Sequence, residues 1–268
     1  MDLAVPPVRP EFFRVEQIMG MPILIDVRDP DIDPAALDRA FAWLRLVDAR
    51  FSTYRVESEI SRLNRGDLGL EDTHPDVREV LARCERLREE TGGYFDVRAP
   101  YLASDGREAP GPSSGAVDPS GLVKGWAVTR AAEILDAAGA RNYCVNAGGD
   151  ITARGRPAPD PYWSIGIQHP LLRDQLAAVV AITDQAIATS GAYERGSHII
   201  DPRTGCPPED ILSVTVVGPD LATADAYATA AYAMGKAGPA WTARLAGYEA
   251  MTILADQTVL STMGFPSI

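Results

Sequence analysis

The stretch TSGAYERGSHIIDPRTG at 189–205, followed by SVTVVGPDLATADAYATAAYAMG at 213–235, sets a histidine, aspartates, basic residues and hydroxyls between short apolar runs. Apolar runs of this kind belong to a core, so the polar residues beside them are delivered to its edge. His198 precedes Ile199-Ile200, and Asp201-Pro202-Arg203-Thr204-Gly205 reads as a tight turn, because Pro presets φ and Gly supplies a positive one. A strand through Ile199-Ile200 is expected to present His198 and Asp201 at its mouth. Downstream, Leu212 to Val217 reads as a buried strand. Thr223 to Met234 reads as a helix, with Thr223 as N-cap and Gly235 as its stop. On that helix Asp225 and Thr229 are four residues apart, which places a carboxylate and a hydroxyl on one face. Two oxygen donors with no Cys or His beside them suit a hard cation such as Mg²⁺ rather than zinc.

Upstream of this stretch, Phe12 to Ile18 and Ile23 to Val27 read as a strand pair around a turn at Gly20. Asp33-Pro34 opens a helix whose Leu37, Phe41, Leu44, Val47 and Phe51 share a face. Ser58 starts a short helix, and a longer one follows Pro75, with Val77, Leu81, Cys84 and Leu87 inward and Thr91-Gly92-Gly93 as its end. The segment VDPSGLVKGWAVTRAAEILDAAGA at 117–140 is a further helix, with Ala127, Ala131, Ile134 and Leu135 on its buried face. Its first turn offers unpaired N–H groups to an anion, and Lys124 adds a full charge. Tyr143 to Asn146 and Ile151 to Ala153 are strands around Gly148-Gly149, and Tyr162 to Gln168 and Leu176 to Ile182 a second antiparallel pair. Asp150 reads as a turn residue, because VNAGGD is neither a Walker nor a dinucleotide fingerprint. A helix at 239–246 and strands from Ala250 to Leu254 and up to Thr262 close the chain. Helices and antiparallel strands without a βα period give an α+β class.

With 268 residues, 46% of them hydrophobic and 23% charged, the chain has the composition of a folded globular protein. No linker or repeat divides it, so residues 1–10 are expected to be a flexible arm and 11–268 a single domain. A net charge of −12 argues against nucleic acid, whose binding needs clustered Lys and Arg. Cys84, Cys144 and Cys206 fit neither a disulfide framework nor a zinc site. The absence of a signal peptide, a lipidation cysteine and any run of 18 apolar residues predicts a cytoplasmic protein with no membrane span.

The blocks MG at 19–20, FSTYRVESEISRLN at 51–64, GGYFDV at 92–97, VDPSGLVKGWA at 117–127, VNAGGDI at 145–151, TSGAYER at 189–195, HIIDPRTG at 198–205 and DAYAT at 225–229 together resemble the ApbE family, the FAD:protein FMN transferases. The chain departs from the family pattern at Met21, where a threonine is usual, and in a shortened 97–117 segment. The resemblance implies two interleaved lobes of mainly antiparallel sheets with flanking helices and FAD in the cleft between them. It implies FAD contacts from Met19, Tyr54, Tyr94, Phe95, Asp96, Asp118, Lys124 and Ile200, and a Mg²⁺ held by Asp225, Thr229 and the backbone oxygen of Gly121. It implies His198 as general base in transferring FMN from FAD to a Thr or Ser hydroxyl of a target flavoprotein, with release of AMP. Asp201 is placed to orient that histidine, and Arg203 to offset phosphate charge. Hydrolysis of FAD to FMN and AMP, or FAD binding without catalysis, are the alternatives.

Overall fold

The computed structural model describes residues 12–99, 116–192 and 199–268. Strands β1 (Phe12–Ile18) and β2 (Met21–Val27) pair antiparallel, with Ile18 opposite Met21. Met19 and Gly20 between them both have positive φ, 56° and 75°. That is the type I′ hairpin geometry, whose twist matches the strands it joins. Gly accepts it without cost, whereas Met19 adopts it against its own side chain.

The remaining strands are β3 (Tyr143–Ala147), β4 (Asp150–Arg154), β5 (Trp163–Gln168), β6 (Leu176–Ile182), β7 (Ala186–Gly191), β8 (Ile211–Gly218), β9 (Glu249–Leu254) and β10 (Val259–Ser261). Among the described residues eight strands form one sheet in the order β1-β2-β3-β4-β7-β8-β9-β10, every neighbouring pair antiparallel. Strands β5 and β6 form a separate hairpin. The helices are α1 (Ala35–Phe51), α2 (Glu59–Arg65), α3 (Pro75–Glu90), α4 (Ser120–Ala137), α5 (Leu221–Ala233) and the short α6 (Gly238–Thr242). This is the expected α+β architecture.

The sheet is covered on both faces, which explains why its central strands are almost continuously apolar. Successive strand residues point to opposite faces. In β3, Tyr143, Val145 and Ala147 enter the larger core with α1, α4 and α5, while Cys144 enters a second core with Trp163, Val180 and Ile182 of the β5–β6 hairpin. Burial pushes the thiols of Cys84 and Cys144 up to about 12, as suits core residues, and Cys206 is exposed. Trp126 of α4 anchors the larger core, its ring 5.3 Å from that of Trp43 and 5.5 Å from that of Phe51. Each of these indole N–H groups has a partner: Trp43 donates to the Ala127 carbonyl and Trp126 to Glu79. Among the described residues no helix is long and apolar enough to cross a membrane.

Three sequence expectations are corrected. Helix α5 begins before Thr223, because Asp220 is the cap and its carboxylate accepts the Thr223 N–H at 2.8 Å. An aspartate at that position also meets the positive end of the helix, an advantage threonine lacks. Ile199-Ile200 does not form a strand. The sheet position beside β8 is taken by β7, which pairs with it from Ala186–Gly218 to Gly191–Ser213. The DPRTG turn closes on itself through an Asp201–Cys206 bridge, and the two isoleucines are buried as irregular chain. The last helix ends at Thr242, not 246, as the chain passes through i+3 turns into Gly247, whose φ is 78°.

Candidate active site

Helices α4 and α5 come closer than side chains normally allow. A Cβ on Gly125 would lie 2.7 Å from the Ala222 Cα, so only glycine admits this crossing. The consequence is local and polar. Lys124, next to Gly125, and Asp225, one turn beyond Ala222, are brought together, with Nζ 3.7 Å from Oδ2. Asp225 is only 4% exposed, a placement a carboxylate tolerates when compensating charge is close. On the next turn of α5, the Thr229 hydroxyl is 3.3 Å from that of Ser190 on β7.

These residues form one wall of a cleft of about 850 Å³. That is near the upper end of small-molecule sites, roughly 300–1,000 Å³. The first turn of α4 contributes Ser120 and Gly121. Pro119 at the N-cap makes no side-chain capping bond, and the Asp118 carboxylate accepts the Ser120 N–H at 3.0 Å. Phe95, buried, packs so closely on Gly121 that a Cβ there would meet its ring at 3.3 Å. Another part of the lining is made of turns. Met19 stands on the positive-φ turn of the β1–β2 hairpin, and Tyr54 lies beyond the end of α1, 89% exposed. Tyr94 follows α3 and is covered by the Arg203 guanidinium, 4.1 Å from its ring centre. The same guanidinium donates to the Gly92 carbonyl at 3.2 Å, which ties the DPRTG turn to the turn after α3.

Met19, Tyr54, Tyr94, Phe95, Asp96, Asp118, Gly121, Lys124, Ile200, Asp225 and Thr229 all line this cleft, although they come from widely separated segments. His198 lies outside the described residues, while Ile199, Ile200 and Pro202 line the cleft. Asp201 accepts the Arg203 N–H within its own turn, and Arg203 itself is occupied by Tyr94 and Gly92. His169 accepts the N–H groups of Leu171 and Leu172, the turn-capping role its place in a polar connection suggests.

A family model of the ApbE family matches residues 19–104 and 101–252. The chain belongs to the ApbE family. A protein named FAD:protein FMN transferase from Haemophilus influenzae is 30% identical over 247 residues, spanning 73% of this chain and 71% of that protein. One of the same name from Vibrio cholerae is 38% identical over 130 residues, 45% of this chain and 39% of that protein. Among solved structures, the flavin transferase ApbE from Vibrio cholerae superposes with a TM-score of 0.80 at 26% identity, covering 94% of this chain and 97% of the other. The ApbE protein from Thermotoga maritima gives a TM-score of 0.81 with the same coverage, and at 22% identity it bears on the fold alone.

In and directly behind the cleft of this ApbE member stand polar groups its sequence did not suggest. Asp150, read as a turn residue, is 1% exposed, and its Oδ2 lies 2.5 Å from Lys124 Nζ. The signal was an ionisable residue opening a strand directly after Gly148-Gly149, in register with inward-facing Thr152. Thr189 and Ser190 were missed as cleft residues because β7 itself was missed. The donors on this wall are oxygens: the Asp225 carboxylate and the Thr229 and Ser190 hydroxyls, with Gly121 lining the same cleft. Among the described residues no group of three or more His, Cys, Asp or Glu could hold a metal. One carboxylate with neutral oxygens fits Mg²⁺, which keeps several waters, and does not fit zinc.

Proposed function

We propose that this chain transfers FMN from FAD to a threonine or serine hydroxyl of a target flavoprotein and releases AMP, with Mg²⁺ held by Asp225, Thr229 and the Gly121 backbone oxygen. The observation that carries this reading is the convergence, in one cleft, of every described residue that the family resemblance assigns to FAD or metal. The acceptor oxygen forms a bond to the FMN-side phosphorus, and the bond from that phosphorus to the AMP oxygen breaks. A bound Mg²⁺ supplies charge neutralisation on the non-bridging and leaving oxygens. The chain's own groups do the rest. Lys124 and the N–H groups opening α4 face the phosphates, where a helix N-terminus favours negative charge. Met19, Tyr54 and Tyr94 offer apolar and aromatic surface to the flavin ring, and Arg203, stacked on Tyr94, steadies that ring. His198 takes the proton of the attacking hydroxyl, since an imidazole titrates near neutral pH.

The test mixes purified protein, FAD and Mg²⁺ with and without Thr-bearing segments of flavoproteins from the same genome, and measures AMP and the mass of the acceptor. Transfer gives one AMP for each flavin gained by the acceptor. AMP without acceptor identifies a hydrolase, and bound FAD with no AMP identifies a carrier. His198→Asn should bind FAD normally and lose roughly 10²–10⁴-fold in transfer rate. A near-wild-type rate removes the histidine from the mechanism.

A further inference from the structure

Asp150 opens β4 immediately after the Gly148-Gly149 turn and does not line the cleft. Its two oxygens are divided between two elements. Oδ1 accepts the Thr189 N–H of β7 at 3.2 Å, and Oδ2 lies 2.5 Å from the Lys124 ammonium of α4. The same ammonium is 3.7 Å from Oδ2 of Asp225, which does line the cleft. Lys124 is thus placed between two buried carboxylates and sits nearer the one away from the ligand space.

A lysine beside the carboxylate of a cation site is a competitor for that site, because its ammonium satisfies the same charge. We propose that Asp150 is a positioning residue that draws the Lys124 ammonium off Asp225 and so sets the charge Asp225 presents to the cleft. Asp150 touches neither substrate nor metal and acts through Lys124. The proposal rests on reading Asp225 as a cation ligand, and the experiment separates the two. Asp150, Lys124 and Asp225 together carry −1. Asp150→Asn brings that sum to zero and leaves the ammonium to settle on Asp225, while the asparagine oxygen can still accept the Thr189 N–H. Adding Lys124→Gln restores −1 and removes the competitor.

The measurements are Mn²⁺ binding by electron paramagnetic resonance, FAD binding by fluorescence in EDTA, and the melting temperature, on wild type, Asp150→Asn and Asp150→Asn/Lys124→Gln. Removing one charge from a partly buried cluster should weaken Mn²⁺ binding in Asp150→Asn by roughly tenfold or more. Metal-free FAD binding in that variant should be tighter than in wild type, because the anion meets a more positive wall. The double variant should recover Mn²⁺ affinity to within about threefold of wild type, since its local charge is the same. An Asp150 that only braces the fold gives a lowered melting temperature, weaker binding of both ligands and no recovery in the double variant, and that result overturns the proposal. So does Asp150→Asn with both affinities unchanged. A wild type that binds no Mn²⁺, with tighter FAD binding in Asp150→Asn, overturns the metal reading and leaves the hold of Asp150 on Lys124 standing.

Discussion

The two walls of the cleft are built on opposite principles. The α4–α5–β7 wall is mostly buried and charged, and side chains on it are held by neighbouring elements: Lys124 by Asp225 and by Asp150 behind the wall, and Thr229 by Ser190. The rim carries Met19, Tyr54 and Tyr94 on turns, with Tyr54 almost wholly in solvent. Low dielectric strengthens charge–charge interactions and exacts a large penalty for misplacing one, so charge is held on rigid, packed elements. Apolar contact is tolerant of small displacements, so ring recognition can be left to turns. Substitutions on the buried wall should therefore alter chemistry and stability together, and substitutions on the rim should alter affinity alone.

Among the described residues the largest effect is expected at Asp225. Asp225→Asn keeps the shape and removes the anionic donor, so transfer should fall by roughly 10²–10³-fold at ordinary Mg²⁺, the scale of losing one positioned electrostatic group. Titrating AMP release against Mg²⁺ checks it, and a full rate for the variant would place the cation elsewhere. Gly125→Ala comes next. Alanine in a helix interior ordinarily gains up to about 1 kcal/mol over glycine. Here its Cβ would stand 2.7 Å from the Ala222 backbone, so α4 and α5 must separate. Overpacking of this kind costs about 1–3 kcal/mol, giving net destabilisation in urea melts. The same separation moves Lys124 from Asp225 and should weaken activity. A stabilised Gly125→Ala would mean the crossing is looser than the contact implies.

On the rim the expected pattern reverses. Tyr54→Ala removes an aromatic face from solvent-exposed chain, so FAD affinity should drop by roughly tenfold, as an aromatic contact of about 1–1.5 kcal/mol requires. The melting temperature should not move. A drop in melting temperature, or FAD affinity equal to wild type, would break the distinction between the walls.

How far this difference was legible in the sequence follows from the same physics. Helical periodicity in α1 and α3 and alternation in β1 and β2 are local signals, and the elements stand close to where they were expected. Leu81 was expected inward and is only half-buried, with Val80 taking the inner position, because a fixed spacing cannot say where the stripe is centred. Strand β7 was missed because AIATSG alternates in neither hydropathy nor size, being buried on both faces between β4 and β8. Missing β7 hid Ser190, and the pairing of Asp150 with Lys124 depends on residues 26 apart meeting across a helix and a strand, which no local pattern records. The family resemblance named the cleft residues but could not show that Gly125 is what allows two of them to meet.

The smallest effect sharpens the comparison from outside the cleft. Asp29 is a carboxylate as well held as Asp225, but at the opposite end of the sheet, where β2 leaves and β3 begins. It accepts the backbone N–H groups of Arg141 and Asn142 and the Asn142 side-chain amide, each at 2.8 Å. Partial burial alone would raise its pKa, yet these three donors outweigh it and hold the carboxyl below its ordinary 3.8. A carboxyl with a depressed folded value contributes stability that is fully present above the unfolded value and is lost as pH falls through the folded one. Asp29→Asn keeps an acceptor but loses the charge, so it should cost about 1 kcal/mol or less at pH 7, reduced by solvent screening at this half-buried position. The cost should vanish in acid below both values, where wild type is protonated too. Denaturant melts of both proteins at neutral and acid pH measure this, alongside the FMN transfer rate at pH 7. The rate should be unchanged, because the charge lost is remote from Lys124 and Asp225. A cost that persists in acid would mean the loop is held by shape rather than by charge, and a fall in rate would mean that the buried wall of the cleft depends on the far end of the sheet.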